Sequence, residues 1–380
     1  MGNTLTAVTG DAFKAAEIVG REAVGAINSV MINAGSEAVA KGQTVKSLST
    51  AAPTLNSSVT PAMTIPEGDD QTISQPSFTV DSIANVMINI TGEEMRHIDT
   101  NYRYETVQGA QLERAFRIIR NTIEAALCTA IYKGASRAFG TAGTTPFGSN
   151  FDSIAEVRQI LFDNGFYTPG EMSLVLNSLA GTNLRQLAQL QKVNESGGTD
   201  LLRQGELLNL QGFSIKESAG VARHTKGNGT SYQLSAAEAV GSTTINVDTG
   251  SGAITIGDVI SFGLDTVNSY VAQSALTGNG SFTIGDPGIR TAIADDGNMT
   301  IGNSYTANLG INRACVELVA RPLASPNGDA AVDVMQIPDP VTGLVYEIRE
   351  YGGFHKKMWS VSMVYGAKVW EPAGVAILMG

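Results

Sequence analysis

One stretch constrains this chain more than any other: residues 102–133, YRYETVQGAQLERAFRIIRNTIEAALCTAIYK. Leu112, Ala115, Phe116, Ile119, Ile123, Ala126, Leu127 and Ala130 recur at spacings of three and four, the period that lines one face of an α-helix. Gln111, Arg114, Arg117, Asn121 and Glu124 fall largely on the opposite side. No proline interrupts the run, and Gly134 supplies a stop. At 1.5 Å per residue such a helix reaches roughly 45 Å, well beyond the ordinary length of about 11–12 residues. A helix this long with an apolar stripe needs other elements laid along it. It reads as a spine, with Leu112, Phe116, Ile119, Ile123 and Leu127 as its predicted core.

The remaining sequence can supply those elements. At 380 residues and 43% hydrophobic content, the chain holds two or three domains of ordinary size. The net charge of −11 argues against a surface that grips nucleic acid by neutralising phosphates. Cys128 and Cys315 each sit in an apolar run, so both are expected to be buried free thiols in a reducing compartment. No run approaches the roughly 20 apolar residues of a membrane span. The first charged residue is Asp11, so the positive start of a secretory signal is not seen.

Before the spine, residues 9–34 carry a helical pattern through Phe13, Ala16, Val19, Ala23 and Ile27, with Thr9 or Asp11 as cap. Gly20 and Gly25 weaken it by about 1 kcal/mol each. It is either a frayed terminal helix or an arm that docks on something. Residues 42–91 change character to Thr, Ser, Pro and β-branched side chains, with extended arms near 44–48 and 71–90 around a polar tip, Pro66-Glu67-Gly68-Asp69-Asp70. Such a two-stranded loop is marginal alone. Phe78, Val80, Val86, Ile88 and Ile90 are too apolar for disorder, so the loop is expected to pack on another subunit.

After the spine, 151–166 reads as a helix capped by Asp152 or Ser153, with Ile154, Val157, Ile160 and Leu161 inward. Residues 172–177 read as a buried strand, 178–190 as a helix, and 205–218 as strands with a turn at Gln211-Gly212. Residues 224–307 form a separate block of short period-two strands, read as a small β-barrel or sandwich. Residues 310–323 return to an apolar pattern that is helical or strand-like, and 343–380 alternate over long strands, the best available cover for the spine stripe.

Little of this carries chemistry. His97, His224 and His355 have no ligand-spaced partner nearby and read as surface or structural histidines. Glu93-Glu94 suits the first turn of a helix. Asp286-Pro287-Gly288 and Asp295-Asp296-Gly297-Asn298 lack the spaced ligands of a calcium loop and read as turns. The nucleotide-binding and nucleophile-elbow motifs are missing. No catalytic, cofactor-binding or metal residue is predicted.

The order of parts nonetheless resembles a known family, the major capsid proteins of tailed bacteriophages with the Hong Kong phage capsid fold. The likeness is to the coat type of short-tailed enterobacterial phages, which carries an inserted β-domain. GTDLLRQGELLNLQGFSIKES at 198–218 resembles the segment before that insertion, and STTINVDTGSGAITIGDVISF at 242–262 its beginning. NLGINRACVELVARPL at 308–323 resembles the return segment, with Asn312-Arg313 where a His-Lys pair is commoner. The resemblance implies an α+β fold with an N-terminal arm (1–41), an extended β-loop (42–93) and a peripheral domain with the spine (94–145 and 341–380). It also implies an apical domain (146–223 and 308–340) and an inserted β-barrel (224–307).

By the same resemblance, the chain forms hexamers and pentamers of an icosahedral shell around double-stranded DNA, with scaffolding, portal and decoration proteins as partners. It would be assembled in the host cytoplasm and located in the virion capsid, with no cofactor, catalysis or membrane. Asp11, Glu17 and Glu22 are candidates for docking a basic scaffold segment, against ordinary solvated helix charges. Two rival readings stand beside this one: an encapsulin-type compartment shell, and a secreted β-rich binding protein.

Overall fold

The computed structural model describes residues 15, 16, 18, 19, 25–35, 37–46, 49–50, 61, 63–65, 73–74, 77–101, 104–192, 209–263, 265–326, 328–339 and 341–380. The spine is present as a helix over Tyr104–Lys133, preceded by a second helix over Gly92–Asn101. Thr91 and Glu94 close the start of that shorter helix reciprocally. The Glu94 carboxylate accepts from the Thr91 amide at 2.8 Å, and the Thr91 hydroxyl accepts from the Glu94 amide at 3.3 Å. The spine stops where the Gly134 amide donates to the Ala130 and Ile131 carbonyls. Glycine is needed there because a Cβ would lie 2.7 Å from the Val369 side chain.

Two sheets hang from the spine. The first has six strands, in the order Met31–Ala34, Val316–Arg321, Lys356–Val369, Val345–Gly353 and Ala331–Pro338, with Ser82–Thr91 also paired to the long strand. Tyr365 pairs with both Ala320 and Ser82, so those two strands flank the long one on opposite sides. The spine lies across this sheet. Leu112, Phe116, Ile119, Ile123 and Leu127 are buried together with Tyr346, Ile348, Trp359, Val361 and Met363. The Phe116 and Tyr346 rings approach to 4.8 Å.

The second sheet has nine strands. Its main path runs Met299–Ile301, Val259–Phe262, Asp265–Val271, Arg137–Phe139, Val375–Met379, Tyr305–Asn312, Met172–Leu176 and Ser214–Glu217. The helix Asp152–Asp163 covers one face with Ile154, Val157 and Leu161. Its cap position is Phe151, without a side-chain hydrogen bond, in place of the expected Asp152 or Ser153. Residues 178–190 hold two helices, Ser178–Gln186 and Ala188–Gln191, separated at Leu187. The turn at Gln211-Gly212 is present, with both residues at positive φ (50° and 89°).

Strand pairing differs from the sequence-based partition in two places. Val316–Arg321 and Ala331–Pro338 pair in the six-stranded sheet with the C-terminal strands, and Val375–Met379 pairs in the nine-stranded one. A period-two pattern tells which face of a strand is buried but not which strand lies beside it. The block 224–307 keeps a core of its own, built on Tyr232, Leu234, Ile245, Phe262, Tyr270 and Phe282. Three of its strands also extend the nine-stranded sheet.

The N-terminal segment departs further from expectation. A helix over 9–34 was expected. Ala15, Ala16, Ile18 and Val19 are helical, but Ile27–Ser29 is a 3-10 turn and Met31–Ala34 is a strand parallel to Val316–Arg321. In the long loop, Gln43–Lys46 pairs with Ser77–Val80, and Val80 is buried against Val319 and Val364 of the same subunit. The predicted tip at Pro66–Asp70 lies outside the described residues, as do the scaffold-docking candidates Asp11, Glu17 and Glu22.

Candidate functional site

Three places in the fold gather polar or apolar groups beyond what packing alone requires. The first lies midway along the spine. Glu124, expected on the polar face, is buried at 3% exposure, and Arg120 one turn earlier is buried as well, at 2%. The Glu124 carboxylate accepts from the backbone amides of Gly25 (3.1 Å), Ala26 (2.7 Å) and Ile27 (2.9 Å), and from the Ser218 hydroxyl at 2.6 Å. Arg120 donates to the Val19 carbonyl. A buried carboxylate is tolerated only when its oxygens are satisfied in this way. Cys128, one turn further on, is pushed up to about 12 by burial and then by the Glu124 charge. Lys216 donates to the Asn28 carbonyl at 2.7 Å, and burial lowers its pKa.

The second place joins the 224–307 block to the rest of the chain. His224 Nε2 lies 2.8 Å from the Asp258 carboxylate, and Asp258 is fully buried. The same carboxylate accepts from the Thr255 amide (2.7 Å) and the Gly227 amide (3.0 Å). Burial by itself would raise the Asp258 pKa, but the bonds from His224, Thr255 and Gly227 outweigh it and hold the group below its ordinary value. The His224 ring packs between Tyr132, at the end of the spine, and Tyr305, whose hydroxyl donates to the Gly257 carbonyl at 2.7 Å. The spine terminus and both connections of the block therefore meet at one buried pair.

The third place is the hairpin between Val345–Gly353 and Lys356–Val369. Its tip carries Phe354 at 94% exposure beside His355. A cleft of about 810 Å³ opens between this tip and the start of the helix Gly92–Asn101, lined by Glu93, Arg96, His97, Phe354, His355 and Lys356. The three histidines thus have two kinds of surroundings: His224 is a buried partner of a carboxylate, whereas His97 and His355 border this cleft.

Cys128 and Cys315 are both buried free thiols. Among the described residues no group of three or more His, Cys, Asp or Glu is arranged to hold a metal ion. No described helix is long and apolar enough to cross a membrane.

No protein-family model matches the chain, and no curated protein matches it. Solved structures do. The capsid asymmetric unit of Cyanophage A-1(L) is 10% identical over 96% of this chain and 92% of that one, with a TM-score of 0.50. The chain has the tailed-phage capsid fold. The capsid of Cyanophage P-SCSP1u (12% identity, 92% and 86% covered, TM-score 0.49) and that of the native GTA particle (10%, 96% and 90%, 0.48) also match, with looser superposition. At these identities the likeness is one of fold alone. The fold match extends over nearly the whole chain.

Sequence reasoning singled out none of the three places. Nothing in the spacing of His224 and Asp258, 34 residues apart, pairs them. For Glu124 a signal existed: Phe116, Arg120, Glu124 and Cys128 form one row at steps of four, beginning and ending in buried types.

Proposed function

We propose that this chain is the major capsid protein of a tailed bacteriophage, a structural subunit without catalysis. In this reading the six-stranded sheet with the spine is the peripheral domain, the nine-stranded sheet the apical domain, and 224–307 an inserted domain. One observation carries it: the fold match to a phage capsid structure runs through 96% of this chain and 92% of that one. The subunits form hexamers and pentamers of an icosahedral shell around double-stranded DNA. Scaffolding, portal and decoration proteins are the expected partners, and assembly proceeds in the host cytoplasm. The acidic balance of −11 fits a shell that encloses DNA without gripping it. Asp11, Glu17 and Glu22 stay candidates for docking a basic scaffold segment, beside the plainer reading of solvated helix charges.

The test is expression of the full chain with its phage's scaffolding protein, followed by electron microscopy of the lysate. Closed particles tens of nanometres across are expected. A chain that stays monomeric under every condition tried would overturn the reading. Particles filled with an enzyme in place of DNA would move it to an encapsulin-type compartment.

A further inference from the structure

The geometry points to Glu124 as a latch that holds residues 25–30 on the spine as a separately releasable strap, with Val19 held one turn away by Arg120. The inference goes beyond the shell reading and does not depend on it. Ala15, Ala16, Val19, Ala26, Ile27 and Val30 are all buried in the same apolar core as the spine. Three of these six are alanines, which offer little apolar area, so hydrophobic burial alone holds the strap weakly.

Besides Lys216, which donates to the Asn28 carbonyl at 2.7 Å and the Ser29 hydroxyl at 3.1 Å, the polar contacts come from two points of the spine. Arg120 takes the carbonyl of Val19, and Glu124 takes three successive amides at the start of the 3-10 turn Ile27–Ser29. The two charged side chains are four residues apart and grip a carbonyl and a set of amides respectively, matching the polarity of each group.

The surroundings are built for this contact. A Cβ on Gly25 would lie 2.8 Å from Val175 Cγ1 and 2.9 Å from the Glu217 carbonyl, so only glycine brings the strap this close to the nine-stranded sheet. A Cβ on Gly220 would lie 2.9 Å from Glu124 Cγ, so the residue facing the carboxylate is also glycine. Ser218 gives its hydroxyl to Glu124 and takes the Gly220 amide at 3.0 Å, which fixes the strand end against the latch. Beyond Val30 the chain enters the strand Met31–Ala34, anchored by ladder bonds to Val316–Arg321. Release therefore ends there.

The test is amide hydrogen exchange on the unassembled subunit, comparing wild type with Glu124→Gln. A glutamine keeps the shape but offers one acceptor oxygen and turns an NH₂ toward the amides. Exchange at Gly25, Ala26 and Ile27 is expected to rise on the order of tenfold to hundredfold, with amides of the spine between 115 and 131 unchanged. Glu124→Asp, which keeps the charge, should rise less.

A uniform rise across strap and spine would overturn the latch, because Glu124 would then be holding the core. No rise would overturn it as well. If Glu124→Gln does not fold, Ser218→Ala removes one of the four donors, and a smaller rise confined to the same three amides is expected. Its absence refutes the idea. Failure of the chain to form shells would leave these measurements unaffected.

Discussion

Replacing Asp258 by asparagine tests whether the buried pair at the base of the 224–307 block holds it in place. Three donors converge on this carboxylate: His224 Nε2 at 2.8 Å, the Thr255 amide at 2.7 Å and the Gly227 amide at 3.0 Å. Asparagine keeps one acceptor oxygen and sets an NH₂ against a donor. One buried N–H is then left unsatisfied, at a cost of about 1–3 kcal/mol. The other two bonds lose their charge assistance, about 1 kcal/mol each. The expected loss is about 3–5 kcal/mol, a large part of the roughly 5–15 kcal/mol that keeps a domain folded.

The pH dependence has a definite sign. The folded-state pKa of Asp258 is held below its ordinary value of about 3.9, so its contribution is fully present above that pH and is lost as pH falls through the lower folded value. The share of the wild-type block's acid destabilisation that comes from Asp258 should therefore be missing from the Asp258→Asn profile. Because the chain has more than one core, the assay is exchange protection inside the block against urea rather than a single melting temperature. Asp295→Asn, on an exposed turn, is the control. Asp258→Asn shifting the block by no more than that control, about 0.5 kcal/mol, would refute the reasoning.

Other expected outcomes follow from burial and exposure. Phe116→Ala empties a fully buried site against Tyr346 and should cost about 3–5 kcal/mol in urea unfolding of the spine region. Cys128 and Cys315 are both pushed up to about 12 by burial, so neither should react with a thiol reagent at about pH 8 until the protein is unfolded. Phe354→Ser at the hairpin tip should leave subunit stability within about 0.5 kcal/mol, yet lower the yield of closed particles. Wild-type yields from that variant would show that the tip is not a contact between subunits.

What was legible in the sequence is what local periodicity encodes. The spine, the helix Asp152–Asp163, the strand Met172–Leu176 and the turn at Gln211-Gly212 are each fixed by residues within a few positions of one another. The strand Met31–Ala34 was not legible, because its four residues gain their conformation from Val316–Arg321, almost 300 positions away. Glu124 misled for a different reason. Polar residues on a helix are read as facing water, but this helix is covered on two sides, by the six-stranded sheet and by the strap. The rule that assigns charge to solvent holds only for a helix with one buried face.

The exposed apolar side chains bear on how the subunit associates. Met63 and Ile65 lie in the long loop, Met87 on the strand that follows it, Val267 on the 224–307 block, Val332 and Val334 on the edge strand Ala331–Pro338, and Phe354 at the hairpin tip. A two-fold dimer gathers such residues into one self-complementary patch. Here they are spread over separate projections, as a subunit touched by many neighbours requires. A stable pairwise interface buries about 800 Å² on each partner, and apolar residues spread in this way divide their area among several contacts. Each contact is then weak alone, and several must form together before the shell is stable. The subunit is therefore expected to remain monomeric when dilute and to assemble steeply above a threshold concentration. A stable dimer persisting at nanomolar concentration in analytical ultracentrifugation would contradict this distribution of contacts.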